Sequence, residues 1–201
     1  TICLVGSEMC IRDSFYSGGN SNELEKLNGK QLSYNNYNDI YSGLDIINSL
    51  PKGIGTTIIK HANPSGVSID KNQCSSFKQA YDCDPISAFG GVIICNYKIK
   101  SETAKEIYNK FFEVIVAKDF DAKALSILKK KKNLRIIKNN QKHDSNQIVF
   151  NTLSNNFILQ NSDNQNFNKN MFKVVSKKKP NKKLFNDLIS VSYTHLTLPT
   201  K

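Results

Sequence analysis

Residues 60–66, which read K-H-A-N-P-S-G, bring together side chains that could perform acid–base chemistry. His61 could transfer protons near neutral pH, and Lys60 could hold a developing oxyanion or a phosphate. The run from Asn63 to Gly66 predicts a turn, from which both side chains would project at the edge of a sheet. These residues alone leave open whether His61 transfers a proton or is a loop histidine with structural partners.

Residues 84–91, which read D-P-I-S-A-F-G-G, form a second segment with a chemical pattern. The adjacent Gly90 and Gly91 would let the backbone approach a ligand closely or adopt a dihedral that other residues avoid. Phe89 could stack on a planar base. Taken alone, the segment favours a plainer interpretation, which is a tight turn leading into a strand.

Alternating strand and helix signals surround these segments and predict an α/β layered sheet. Short apolar strands are predicted at residues 56–59, 92–95, 114–117 and 134–137. Helices are predicted from Asn38 or Asp39 to Leu50, over 75–81, from Ser101 and from Asp121. Because ligands gather at the carboxyl ends of strands in open α/β sheets, we expect Lys60 and His61 at such an end.

The pattern weakens from about Asn139 onward. Residues 148–153 and 172–176 are candidate strands. Polar loops are predicted over 139–145 and 160–170, and a helix over 180–189 with Pro180 near its first turn.

The composition argues against several classes of protein. The chain has 201 residues, of which 39% are hydrophobic, and this suits one domain or two small ones with a real core. No run of about 18 apolar residues predicts a membrane span, and the first residues do not resemble a secretory signal, so a cytoplasmic location is expected. Five cysteines without a C-x-x-C pair argue against a disulfide framework or a zinc ribbon.

The formal net charge of +11 admits three interpretations. The lysine clusters could be solvated surface, they could attract an anionic substrate, or they could bind RNA as part of a basic α/β nucleic-acid-binding module without catalysis. No RNP-like aromatic motif accompanies them. The clusters are at residues 129–132, 177–179 and 182–183.

The two chemical segments together resemble the signatures of one family, the AICAR transformylases. Residues 60–67 resemble its K-H-A-N-P-x-G-V motif, and residues 84–91 its D-P-x-S-A-F-G-G motif. Residues 27–36 are similar to its G-K-x-L-S-Y-N-N stretch, and further similar segments follow in family order at 103–104, 112–117, 124–135 and 174–180. Ser65 and Lys118 depart from the family, which commonly has cysteine and proline at these positions.

The resemblance implies a cytidine deaminase-like layered fold, present here as the first of the two halves of the domain. It implies transfer of a formyl group from 10-formyltetrahydrofolate to AICAR, the aminoimidazole carboxamide ribonucleotide, giving FAICAR in purine (IMP) biosynthesis. The family works as a homodimer without a catalytic metal, membrane or nucleic-acid partner, and usually carries a fused IMP cyclohydrolase. The chain also lacks the H-x-E and P-C-x-x-C ligand pattern of zinc deaminases, which disfavours a deaminase.

By the same match, His61 would be the proton-transfer residue and Lys60 its charged partner. Asn63, in the same loop as His61, would contact substrate, and Phe89 and Gly90 would line the nucleotide site. Glu113 falls where the family has an acidic residue for the substrate ribose, and a carboxylate can accept both hydrogen bonds of a ribose diol. A surface acid at the start of a strand is the alternative interpretation of Glu113.

The resemblance covers residues 15–189 as a partial transformylase domain. Residues 1–14 and 190–201 depart from the family and resemble translated adapter sequence, so we expect neither to belong to the fold. The K-S-N segment with its catalytic asparagine, which the family has further downstream, is not matched. From this we expect that the chain is inactive by itself.

Overall fold

The computed structural model describes residues 23–50, 53–141, 148–154, 156–161, 172–182 and 184–189. These residues belong to two compact units, which are divided after Gln141. The two terminal segments predicted to lie outside the domain are not among the described residues. No helix in the described part of the chain is both long and apolar enough to cross a bilayer.

The first unit is built on a six-stranded mixed sheet with the strand order β1-β6-β5-β4-β2-β3. The strands are β1 (Leu24–Asn28), β2 (Ile54–Lys60), β3 (Asn63–Asp70), β4 (Val92–Ile99), β5 (Val114–Phe120) and β6 (Arg135–Asn139). Strands β4, β5 and β6 run parallel, whereas β1, β2 and β3 each pair antiparallel with their neighbours. The predicted α/β layered sheet is confirmed.

Helices cover both faces of this sheet. They are α1 (Tyr34–Ser49), α2 (Gln73–Cys83), α3 (Ser101–Tyr108) and α4 (Ala122–Leu128). Helix α1 packs on β2 and β4, and its residues Ile40 and Leu44 are buried. Helices α2, α3 and α4 lie on the opposite face of the sheet. There they form a hydrophobic core with alternate residues of the strands, such as Ile58, Ile93 and Ile115. Alternation along buried strands gives the sheet two apolar faces.

The first helix begins earlier than its apolar spacing predicts. Its N-cap is Ser33, whose hydroxyl accepts from the Asn36 amide while the Asn36 side chain accepts from the Ser33 amide. This reciprocal capping satisfies amides that would otherwise lack partners at the helix start. The prediction of a cap at Asn38 or Asp39 is therefore wrong, because a polar first turn precedes the apolar face.

The predicted turn at 63–66 is also wrong, since these residues begin β3. The hairpin turn consists of His61 (φ 53°) and Ala62 (φ 58°), both in the left-handed region. Two left-handed residues in a two-residue loop match the twist of an antiparallel hairpin. Pro64 is tolerated inside β3 because this strand is at the edge of the sheet, where a missing N–H costs little.

Because β2 runs antiparallel to β4, residues 60–66 and residues 84–91 meet at one edge of the sheet. Ile59 in β2 pairs with Val92 in β4, so the end of β2 lies beside the starts of β4 and β5. We call the edge of the sheet where these strand ends lie the site edge. The loops at this edge are residues 29–33, 61–62, 84–91, 109–113 and 129–134. At the opposite, far edge, strands run into helices through short links, residues 71–72, Lys100 and Asp121. Lys60 and His61 do lie at the carboxyl end of a strand, but they face the amino ends of the parallel strands.

The second unit contains a hairpin of β7 (Ile148–Leu153) and β8 (Asn156–Asn161), with Ser154 at φ 55° in the turn. The predicted strand at 148–153 is confirmed, whereas β8 replaces the start of the predicted polar loop at 160–170. Residues 172–176 do not form a strand in the structure, so that prediction is wrong. Residues 184–189 are helical, as predicted.

Candidate functional site

A hydrogen bond joins residues 60–66 to residues 84–91, the two segments that sequence analysis selected for their possible chemistry. The ammonium of Lys60, at the end of β2, donates to the Phe89 carbonyl at 2.8 Å. Lys60 is half-buried, and its ammonium has three N–H groups. Among the described residues, the Phe89 carbonyl is the one hydrogen-bond acceptor of this ammonium. The remaining donors can therefore bind an oxyanion or a phosphate from solvent.

The hairpin turn that carries His61 is held by helix α1. The Ala62 amide donates to Asp39 Oδ1 at 2.6 Å, and the Asn63 side chain donates to the His61 carbonyl at 2.9 Å. His61 and Asn63 are exposed, so both side chains are accessible to a ligand at this edge. Sequence reasoning considered Asp39 only as a helix cap and missed its role in holding the turn.

Asp84 organises the loop at 84–91. Its carboxylate accepts from the Ser87 hydroxyl at 2.5 Å and from the Ser87 amide at 3.0 Å, while its carbonyl accepts from the Ala88 amide. The Ser87 hydroxyl bond, followed by the Ser87 amide bond, lowers the pKa of Asp84 below its usual value. The turn positions the Phe89 carbonyl that Lys60 binds.

The paired glycines of this loop occupy places where a side chain would collide. Gly90 has φ +69°, and a Cβ there would lie 3.2 Å from Lys60 Nζ and 3.3 Å from the Phe111 ring. At Gly91 a Cβ would lie 2.7 Å from the Ile59 carbonyl. The predicted dihedral that other residues avoid is thus confirmed at Gly90, whereas the close approach to a ligand stays a prediction.

Phe89 exposes a ring at the site edge. Its side chain is 64% exposed and lies against Phe111, with ring centroids 4.9 Å apart and ring planes tilted by 37°. An exposed ring beside a cation is suited to contact with a planar heterocycle. Sequence reasoning did not select Phe111, because nothing in its local pattern separates it from the core residue Phe112.

Glu113 lies in the next loop of the same edge. Its amide donates to the Gly91 carbonyl at 3.1 Å, which ties it to the glycine loop. Its Oε2 faces Asn36 Nδ2 at 3.5 Å and Arg135 NH1 at 3.8 Å. Arg135 also donates from Nε to the Gln31 carbonyl at 3.0 Å. The carboxylate is 45% exposed, so it retains accepting capacity for a ligand hydroxyl.

All six predicted site residues therefore belong to the site edge, but they do not all touch one another. Direct contacts link Lys60 with Phe89, and Asn63 with His61. Asn36 and Arg135, which sequence reasoning missed, contact Glu113 from the first turn of α1 and the start of β6. Within the described ranges, no three His, Cys, Asp or Glu side chains cluster closely enough to hold a metal ion.

Comparison with known proteins matches the sequence of this chain to one family. The sequence model of the AICARFT/IMPCHase bienzyme matches residues 9–195. The bifunctional purine biosynthesis protein PurH of Buchnera aphidicola subsp. Baizongia pistaciae is 41% identical over 168 residues, covering 82% of this chain and 32% of that protein. PurH of Thermoanaerobacter sp. (strain X514) is 36% identical over 166 residues, covering 83% of this chain and 32% of that protein.

A third relative agrees with these two. PurH of Clostridium botulinum (strain Loch Maree / Type A3) is 41% identical over 165 residues, which cover 82% of this chain and 32% of that protein. The chain thus spans about a third of the length of the curated relatives that it matches. Since the family match extends over most of the chain, the protein belongs to the AICARFT/IMPCHase bienzyme family.

Proposed function

We propose that the site edge is part of a formyltransferase site, which moves a formyl group from 10-formyltetrahydrofolate to the amine of AICAR and yields FAICAR. The observation that carries the proposal is the Lys60–Phe89 hydrogen bond, because it joins the two family motifs at one edge of the sheet. Family membership supports this activity, since the matching relatives are purine biosynthesis proteins.

His61 and Lys60 would serve the chemical step. The amine nitrogen attacks the formyl carbon, and the bond between that carbon and N10 of the folate breaks. The proton lost by the amine passes to the His61 imidazole, and the imidazolium donates a proton to N10 as N10 leaves. The Lys60 ammonium stabilises the oxyanion that forms on the formyl oxygen. The exposure of His61 and the free donors of Lys60 support these roles.

The other residues would bind the substrates. The exposed Glu113 carboxylate accepts the two hydrogen bonds of the ribose diol, held in place by Arg135. Phe89 contacts a planar ring, Gly90 brings the backbone close to it, and Asn63 adds an amide at the end of the hairpin turn. No metal is needed for this chemistry.

Further properties of the relatives extend the proposal to the whole protein. We propose that it has a cytoplasmic location, works as a homodimer, and carries IMP cyclohydrolase in a separate domain. The sheet would be the first of two cytidine deaminase-like halves, and the mixed strand order β3-β2-β4-β5-β6 under helices on both faces supports that assignment.

Titration calorimetry with AICAR tests the proposal, because binding can be measured without turnover. Lys60→Met removes a charge-assisted hydrogen bond to the ligand, so we expect affinity to fall about tenfold to 100-fold. His61→Ala should weaken binding less, if its main task is proton transfer. Lys100→Met, which changes an exposed lysine at the far edge, is the matched control and should bind as the unaltered chain does.

Two results would contradict the proposal. One is an unaltered chain that binds neither AICAR nor folate; the other is equal affinity of the Lys60→Met and Lys100→Met variants. Binding of RNA with a steep salt dependence and a response to Lys129 or Lys130 would instead support the nucleic-acid module. The structure gives that module less support, since the Lys131 ammonium donates to the Lys110 carbonyl and lies 5.0 Å from the Tyr108 ring centroid.

A further inference from the structure

Two phenylalanine rings at the site edge are exposed side by side. Phe89 is 64% exposed and Phe111 is 52% exposed, although their centroids lie only 4.9 Å apart. Ile86, in the same loop as Phe89, is 89% exposed. Adjacent exposed apolar side chains of this size beside a polar site are typical of surfaces that bind a ligand.

The position of Phe111 is fixed by its surroundings. Its carbonyl accepts from the Gly90 amide at 3.0 Å, and its ring lies 3.3 Å from where a Gly90 Cβ would be. Its neighbour Phe112 is buried, with its ring 6.1 Å from that of Phe77 in the core. Phe112 therefore packs into the core, whereas Phe111 lies at the surface against Gly90 and Phe89.

We propose that Phe111 is a ligand-binding residue which, with Phe89, forms an aromatic wall for a planar nitrogen heterocycle. This inference rests on the proposed function and adds a residue to it. The tilt of 37° between the rings leaves an angled apolar surface, and the Lys60 ammonium and the Phe111 ring both lie close to where a Gly90 Cβ would be, at 3.2 and 3.3 Å. Such a surface offers a ring face to the heterocycle and a cation to its attached oxygens or phosphate.

Two ligands of the proposed reaction contain a heterocycle of this kind. One is the aminoimidazole of the nucleotide, and the other is the pterin of the folate. Separate titrations with AICAR and with 10-formyltetrahydrofolate decide which ring the wall binds. We expect one titration to respond to changes at Phe111 and the other to remain unchanged.

Phe111→Leu tests the wall by removing the ring while keeping an apolar side chain. We expect about tenfold weaker binding of one ligand, and recovery of affinity in Phe111→Tyr, which restores the ring. The matched control is Phe157→Leu, which makes the same change at a ring that is 67% exposed in the β7–β8 hairpin of the second unit. Equal affinities of Phe111→Leu and the unaltered chain for both ligands would overturn the inference and leave the proposed function standing.

A second variant keeps the test decisive if Phe111→Leu folds poorly. The chain contains no tryptophan, so Phe111→Trp introduces a single indole at the wall. Ligand binding should shift or quench its emission, with saturation at the concentration found by calorimetry. Binding without any change in emission would overturn the inference, whereas absence of binding by the unaltered chain would overturn the proposed function as well.

Discussion

Individual residues of the site differ in how far their sequence patterns explain them. Gly90 was expected to approach a ligand or to adopt a dihedral that other residues avoid, and the structure shows the dihedral, a left-handed φ beside Lys60. Asp39 and Arg135 could not be chosen from their neighbours in sequence, because each acts on a segment that is more than 20 positions away. Ser87 next to Asp84 is different, since a serine three residues after an aspartate is a local turn pattern.

Asp84 gives a prediction at the residue scale. Its pKa lies below the usual carboxyl value of 3.8, chiefly because the Ser87 hydroxyl donates to it. The carboxylate bonds therefore stabilise the turn fully above that value, and this contribution is lost as the pH falls through the lowered pKa. In an NMR titration, Ser87→Ala should move the Asp84 midpoint upward toward 3.8. An unchanged midpoint would contradict the assigned cause.

At the scale of elements, apolar runs predicted most strands of the sheet but not their directions. The runs at 56–59, 92–95 and 114–117 are the buried centres of β2, β4 and β5. Strand β1 was missed because its L-E-K-L-N sequence is half polar and its partner β6 lies more than 100 residues away. The reversal of β2 depends on the left-handed pair His61 and Ala62, which contains no glycine to signal it.

Gly66 gives a prediction about the packing of β3 on α2. A Cβ at this position would lie 1.8 Å from the Ala80 carbonyl oxygen, a backbone atom that can move only with its helix. We expect Gly66→Ala to lower the free energy of unfolding by about 2–3 kcal/mol, measured by urea denaturation. Because the hairpin turn leads directly into β3, AICAR affinity should fall as well.

Gly55→Ala serves as the control for this strand substitution. A Cβ there would meet only the ends of side chains, the nearest being Asn96 Nδ2 at 3.2 Å. These ends can rotate away, so the free energy of unfolding should change less than in Gly66→Ala. A similar loss of unfolding free energy in both variants would mean that the close contact between β3 and α2 is not the reason why position 66 requires glycine.

For the whole molecule, the fold class followed from the alternation of strands and helices, and the family motifs predicted which residues form the candidate site. The meeting of the motifs at one edge was less predictable, since it requires the complete strand order. The core of the sheet also contains buried polar side chains, which no pattern in the sequence identifies. Thr56 Oγ1 is bonded to the Tyr97 hydroxyl and the Ser76 hydroxyl, both at 2.9 Å, inside the core that also contains Cys95.

This buried polar cluster predicts a loss of stability in alkali. Burial raises the pKa of the Cys95 thiol from 9.0 to about 12, and burial also raises the pKa of Tyr97. The unfolded chain releases the thiol proton from about pH 9, whereas the folded chain retains it up to about 12. The free energy of unfolding should therefore fall in this interval, by up to about 1.4 kcal/mol per pH unit for each such group.

Urea denaturation at several pH values measures that slope. Cys95→Ala removes the buried thiol, so its free energy of unfolding should fall less steeply above pH 9.0 than that of the unaltered chain. Equal slopes for the two proteins would show that the thiol does not contribute. The comparison of slopes is unaffected by any constant loss of packing that the smaller side chain causes.

The division of the sheet into two edges has a practical consequence for surface-based measurements. Every proposed binding residue lies at the site edge, in a loop or at the end of a strand, whereas Lys100 at the far edge is exposed in a single-residue link. Ion pairs of Lys98 with Asp119 and Asp121, at 3.3 and 3.2 Å, brace that edge. A biotin attached through Lys100→Cys alone, with the exposed Cys83 replaced, should therefore orient immobilised molecules with their site edge facing the flow, whereas attachment at the hairpin turn should block analyte capture.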